Sequence, residues 1–261
     1  IAGAIDQTCN VVIDAGPKTP YGEAEIIAFE RYLNTGGAVL LLYDVGFAVT
    51  PRHARLLSRL GITLDNTVVV DPELHYSSDP EMVAVTVYEP HAITRQMSFA
   101  FFPGARPLLA TSTDKSVATS ALFSSSQDSY RETLSGNTDV PHEHEIDAPP
   151  GPTQVGEYLL GQAIEGHLNE GSSDGFRAVV VGDSDFASNS FYPYMSNNRL
   201  ALAMVRWLAS EEDNVAVGAR IPVPRTVELT EYERTLVFLL LVIGLPLAIA
   251  LPGIYVWWAR R

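Results

Sequence analysis

The chain reads as an α/β protein built on a mostly parallel sheet with helices on both faces, followed by one C-terminal transmembrane helix. Three observations predict this. Strand and helix patterns alternate through the first sixty residues, the arrangement of βαβ units. The candidate central strands are short and apolar throughout, as strands covered on both faces are. Finally, Thr235–Ala259 carries no charged residue and exceeds the roughly 20 apolar residues a helix needs to cross a bilayer.

The elements follow in order. Asn10-VVIDA-Gly16 is a β-branched run that ends in the loop Gly-Pro-Lys-Thr-Pro-Tyr-Gly. In GEAEIIAFERYLNTGG, Ile26, Ile27, Phe29, Tyr32 and Leu33 share one helical face. Glu23 and Glu25 occupy the first turn, where the helix dipole favours acids, and Gly36-Gly37 ends the helix. AVLLLYD is a buried strand. Pro51–Leu60 is a second helix, with proline at its start and Gly61 beyond its end. ITLDNTVVVDP, Met82–Ile93 and the segments flanking the Pro103-Gly104 turn are strand-like, whereas residues 112–152 read as a long polar excursion. Within that excursion, residues 124–150 hold too little apolar surface to offset ordering entropy. Val155–Gly166 and Phe176–Val181 restore strand character. Asn197–Ser210 is a helix with Leu200, Met204, Trp207 and Leu208 on one face.

The expected organisation is an α/β domain over residues 1–210, its core from about residue 8, with strands Val11–Asp14, Ala38–Tyr43 and Ala178–Val181 central. A polar neck (211–234), the span (235–259) and a two-residue end (260–261) follow. Gly244, Pro246, Pro252 and Gly253 interrupt the span, Tyr255, Trp257 and Trp258 suit headgroup depth, and Arg260-Arg261 place that end in the cytoplasm, with the domain outside. The chain opens on Ile1 without a signal peptide and reads as a fragment lacking its N-terminal part.

Composition narrows the function classes. The formal charge is −14, from 17 Lys+Arg and 31 Asp+Glu, and the only lysines are Lys18 and Lys115. Such a surface repels nucleic acid, so no nucleic-acid partner is expected. Cys9 is alone and cannot close an internal disulfide.

Four constellations could carry chemistry. His142, Glu143, His144 and Glu145 are metal-capable, but their alternation is wrong for a helical zinc pair and suits a solvated loop; no metal is expected. Gly182-Asp183-Ser184-Asp185 leaves the carboxyl end of a buried strand, where open α/β sheets place ligand sites. Asp183, Asp185 and Asn189 are therefore the candidate ligand-binding residues, although the two aspartates equally suit capping of the next turn. Lys18 lies in a loop without a phosphate-binding glycine pattern. No nucleophile elbow is present and Cys9 has no histidine partner nearby, so neither catalytic residues nor a cofactor are expected.

Three pieces of the sequence together resemble the auxiliary ABC-transporter proteins linked to gliding motility, the GldG-like family. They are VVIDAGPKTPYGEAEIIAFERYLNTGGAVLLLYD, VVVGDSDFASN with NNRLALAMVRWLAS, and the terminal V-x-L-T-x-x-E-R segment ending in WWARR. The resemblance implies an extracytoplasmic domain similar to class I glutamine amidotransferase and flavodoxin-like folds, without a catalytic Cys-His pair. It implies partnership with an ABC permease and, through it, the ATPase. The reading is a non-enzymatic, membrane-anchored auxiliary subunit of bacterial or archaeal cells. Its alternatives are a tethered hydrolase using carboxylates or a metal, and a tethered solute-binding domain.

Overall fold

The computed structural model describes residues 4–6, 8–111, 115–133, 154–169 and 174–211, with 232, 235, 238–244, 246, 250, 252 and 257–260. Contacts divide the chain into units Ile1–Val215 and Ala216–Arg261.

In the first unit, β1 (Val12–Ala15) leads to α1 (Glu23–Asn34) and β2 (Ala38–Leu42). The start of α1 is held by Glu25, whose carboxylate accepts the Gly22 N–H at 2.8 Å. Gly36, at φ 81°, takes the left-handed conformation that ends the helix. α2 (Pro51–Arg59) begins on Pro51, whose missing N–H is no loss in a first turn. Short strands follow: β3 (Ile62–Leu64), β4 (Thr67–Val70), β5 (His75–Tyr76), β6 (Asp79–Val85), β7 (Ala100–Pro103), β8 (Leu108–Ala110), β9 (Val117–Ser124) and β10 (Tyr130–Thr133). The unit closes with β11 (Leu159–Gly166), β12 (Phe176–Val181), a 3-10 turn at Asp185–Ala187 and α3 (Asn197–Leu208).

The main sheet has the order β1-β2-β12-β11-β9. Alternation along β2 and β12 splits the core in two. Leu40, Leu42, Val179 and Val181 face Leu200, Met204 and Trp207 of α3, with Phe102, Phe123 and Phe186. Val39, Leu41, Ala178 and Val180 face Ile26, Phe29 and Leu33 of α1 and Leu56 and Leu57 of α2. Each of the valine, leucine, isoleucine, methionine and phenylalanine side chains, fully buried, contributes about 1.5–3 kcal/mol of transfer free energy. Gly161 bulges β11, which is why Leu160 and Ala163 reach the same core despite odd spacing.

This architecture corrects the expected fold class. β1, β2 and β12 pair in parallel, but β12–β11 and β11–β9 are antiparallel. The other seven strands form three antiparallel sheets, β10-β4, β3-β8 and β5-β6-β7, so the unit is mixed and sheet-rich with few helices. Apolar runs do not reveal strand direction. Connection length does: only residues 167–175 separate β11 from β12, fewer than the dozen or more that a parallel crossover needs. ITLDNTVVVDP also divides, with β3 and β4 in different sheets.

The strand expected at Val11–Asp14 is an edge, not a centre. Its burial alternates, and Ile13 is 52% exposed. Within the stretch read as a polar excursion, β9 and β10 form; Val117, Leu122 and Phe123 turn inward while Thr119 and Ser120 stay outside. Residues 134–153 lie outside the described residues, and with them His142, Glu143, His144 and Glu145.

In the second unit, Leu239–Gly244 form a π-helical turn. Among the described residues no helix is long and apolar enough to cross a membrane, which corrects the expected C-terminal transmembrane helix. The π turn ends at Gly244.

A buried histidine makes the first unit sensitive to acid. His53 lies among Tyr21, Tyr43 and Phe47, and the Tyr43 hydroxyl meets its Nε2 at 3.0 Å. Burial lowers the imidazole pKa from 6.5 to about 4. The unfolded chain therefore binds the extra proton first, and this contribution to stability is lost as pH falls from 6.5 towards 4. The loss amounts to about 3 kcal/mol. Urea unfolding of the wild type and His53→Phe should show it: the variant starts less stable at pH 7.5 and declines less steeply with acid. A separate expectation concerns Gly182, where an added Cβ would land on the Arg106 carbonyl oxygen. Gly182→Ala should abolish or severely lower the thermal transition. Gly46→Ala, at φ 86° with open space around it, should cost only about 1 kcal/mol.

Candidate functional site

The carboxyl ends of β1, β2 and β12 lie side by side, and the polar groups that the sequence points to gather there. The loop after β12 is held on several sides. Gly182 N–H donates to Leu160 O at 2.9 Å, and Gly182 O accepts the Arg106 N–H at 2.7 Å. Asp183 is buried, and its carboxylate accepts the N–H groups of Asp185 (2.8 Å) and Phe186 (3.1 Å), one on each oxygen. That is an Asx-type cap on the 3-10 turn, and it occupies Asp183. Burial raises the Asp183 carboxyl well above its ordinary range, with the two N–H donors pulling the other way.

Asp44, one residue beyond Tyr43, accepts the Ser184 N–H at 2.7 Å on one oxygen and Lys18 Nζ at 2.9 Å on the other. Burial opposes ionisation of Asp44, but the hydrogen bonds from Lys18 and Ser184 outweigh it and hold the carboxyl low. The Lys18 side chain is 81% exposed, so this pair contributes less than about 1 kcal/mol. Asp185 is exposed, and burial of its carboxyl, then the nearby Asp44 charge, raise its pKa. Asn189 is also exposed and makes no side-chain hydrogen bond among the described residues. The structure thus joins Asp183 to the loop backbone and leaves Asp185 and Asn189 at the surface.

Two buried groups complete the joint, and sequence reading passed over both. Arg106 interrupts the apolar run PGARPLL, and that interruption was the available signal. Its Nε donates to Asp65 O at 2.8 Å, and one terminal nitrogen donates to Asp44 O at 3.0 Å and Phe47 O at 3.3 Å. Burial lowers its pKa to about 10, so the guanidinium stays charged at neutral pH. Asn197 is fully buried at the start of α3. Its amide oxygen accepts the Phe101 N–H at 2.9 Å, and its amide nitrogen donates to Phe101 O and Phe186 O, each at 3.1 Å.

Hydrolytic geometry is not formed by the next polar cluster either. Asp71 accepts both the N–H and the hydroxyl of Ser126 at 2.9 Å, while His75 Nδ1 meets only the Asp71 backbone oxygen, at 2.9 Å. The histidine therefore has no serine to activate. Among the described residues no group of three or more His, Cys, Asp or Glu is placed to hold a metal ion. A cavity of about 390 Å³ lies elsewhere, at the opposite end of β2, lined by Cys9, Asn10, Tyr32, Gly37 and Ser210. At the loop, the hydrogen bonds of Asp183, Asp44 and Arg106 tie the ends of β2 and β12 to the neighbouring connections.

Asn197→Asp tests the joint. The change sets a carboxylate oxygen against two carbonyl oxygens in a buried site and should cost about 3 kcal/mol in urea unfolding. Asn189→Asp, at the exposed end of the loop, should change stability by less than about 0.5 kcal/mol.

A family model described as "ABC-type uncharacterized transport system" matches residues 2–216. Among solved structures, the mmIFT52 N-terminal domain is similar at a TM-score of 0.55 and 18% identity, over 77% of this chain and 77% of that one. A ThuA-like protein from Bacteroides uniformis is similar at a TM-score of 0.40 and 17% identity, over 76% of this chain and 69% of that one. A comparison with curated proteins finds no match.

Proposed function

Because the chain belongs to the ABC-type transport-system auxiliary family, we propose that it is a non-enzymatic auxiliary subunit, the GldG-like member of its transporter, working from the outer side of the cell membrane. Its partners are the permease and, through the permease, the ATPase. The match over residues 2–216 carries this reading, since it spans the whole mixed α/β unit. The polar joint supports a binding role over a catalytic one. Asp183, Asp44 and Arg106 are consumed by hydrogen bonds within the fold, so reacting at a substrate would require breaking them. Asp185 and Asn189 are the exposed polar groups beside the joint, and we assign them to ligand or partner contact. Surface contacts of this kind suit a subunit that docks and responds to its neighbour.

Copurification tests the proposal. The full chain, affinity-tagged and coexpressed with the permease and ATPase of its own transport system, should recover both from detergent-solubilised membranes in near-constant ratio across salt washes. Recovery of the chain alone, or a hydrolytic turnover abolished by Asp185→Ala, would end the reading.

A further inference from the structure

The two edges of the main sheet are treated differently. At the β9 edge, Tyr88 bridges Phe123 and the Glu89 N–H donates to Leu122 O at 2.9 Å, so the segment after β6 covers the strand. At the β1 edge the described residues supply no such cover. The Gly16 N–H donates to Leu42 O at 3.0 Å, towards β2. Backbone groups alternate along a parallel strand, so Asp14 shares that side, and the N–H and C=O of Ile13 and Ala15 point away from the sheet. Both residues are exposed, and the Ile13 side chain offers an apolar contact beside the open groups.

The second observation is a charge without a counterpart. Asp14 lies on the α1 side of the edge, half-buried, with no hydrogen bond or ion pair to its carboxylate among the described residues. Burial and the neighbouring Glu25 both raise its pKa. A half-buried carboxylate on an edge strand, in a chain of charge −14, is complementary to a cation. An unpaired strand edge is complementary to extended backbone.

We propose that the β1 edge is a strand-addition site for an extended segment of another chain, one that carries a Lys or Arg placed against Asp14. Backbone bonds to Ile13 and Ala15 supply the affinity, Ile13 packs the incoming strand, and Asp14 selects its charge. A second copy of this chain is disfavoured as the occupant, because two such edges would bring Asp14 and Glu25 of both chains together.

The test uses the full chain in mild detergent with a short blocked peptide of alternating valine and threonine around one central lysine, and its glutamate twin. Hydrogen exchange at the Ile13 and Ala15 amides should slow roughly fivefold with the lysine peptide and much less with the twin. Asp14→Asn, with its melting point checked, should make the two peptides equivalent. No slowing by the lysine peptide would overturn the proposal, as would equal slowing by both on the wild type. Self-association of Asp14→Asn in sedimentation would overturn it as well, since it would identify Asp14 as a guard against edge pairing rather than a recognition residue.

Discussion

The loop Gly182–Phe186 is the constraint on which the remaining elements depend. Its backbone is shared with β11 through Leu160, with the β7–β8 connection through Arg106, and with the end of β2 through Asp44. Asp183 then fixes the turn, and Phe186 O receives Asn197 at the start of α3. A substitution that moved this loop would release the main sheet, the three-stranded sheet and the last helix together. Glycine at 182 permits the close approach of the Arg106 backbone, and no other side chain would fit there.

Burial of so much polar character is stable because it is satisfied. Arg106 is 1% exposed, yet its guanidinium donates to three carbonyl oxygens from two loops. Those carbonyls lie in the connections that follow β2 and β3. The guanidinium thus does for loops what a ladder of backbone bonds does for strands, and its planar fork is the side-chain geometry suited to several acceptors at once. The same economy explains why the region at the carboxyl ends of the strands, often a ligand site in α/β proteins, is here occupied by the fold's own groups.

The functional reading rests on two levels of likeness. The family match extends over nearly the whole first unit and carries the link to ABC transport. The likeness to the mmIFT52 N-terminal domain, at 18% identity, speaks to the fold alone. The first names the system the chain serves, and the second the scaffold it is built on. The unequal protection of the two sheet edges is where the surface of that scaffold departs most from what self-contained folding requires.

Local signals determined the helices. Proline at 51, the acids at 23 and 25, the glycines after Asn34 and the four-residue face of α3 fix those segments by dihedral preference, dipole and amphipathic period, all properties of neighbouring residues. The sequence also showed that β2 and β12 are covered on both faces, because an apolar run permits nothing else in water. Strand direction, strand order and the edge position of β1 were decided only by the tertiary structure, since an apolar run looks the same in a parallel or an antiparallel sheet, at the centre or at the rim. GDSDF was legible as a loop of interest, and Asx capping was among its readings. Its dependence on Arg106 and Asn197 was not, because hydrogen bonds such as those joining Arg106 to Gly182 and Phe101 to Asn197 link positions far apart in sequence and leave no pattern in a single chain.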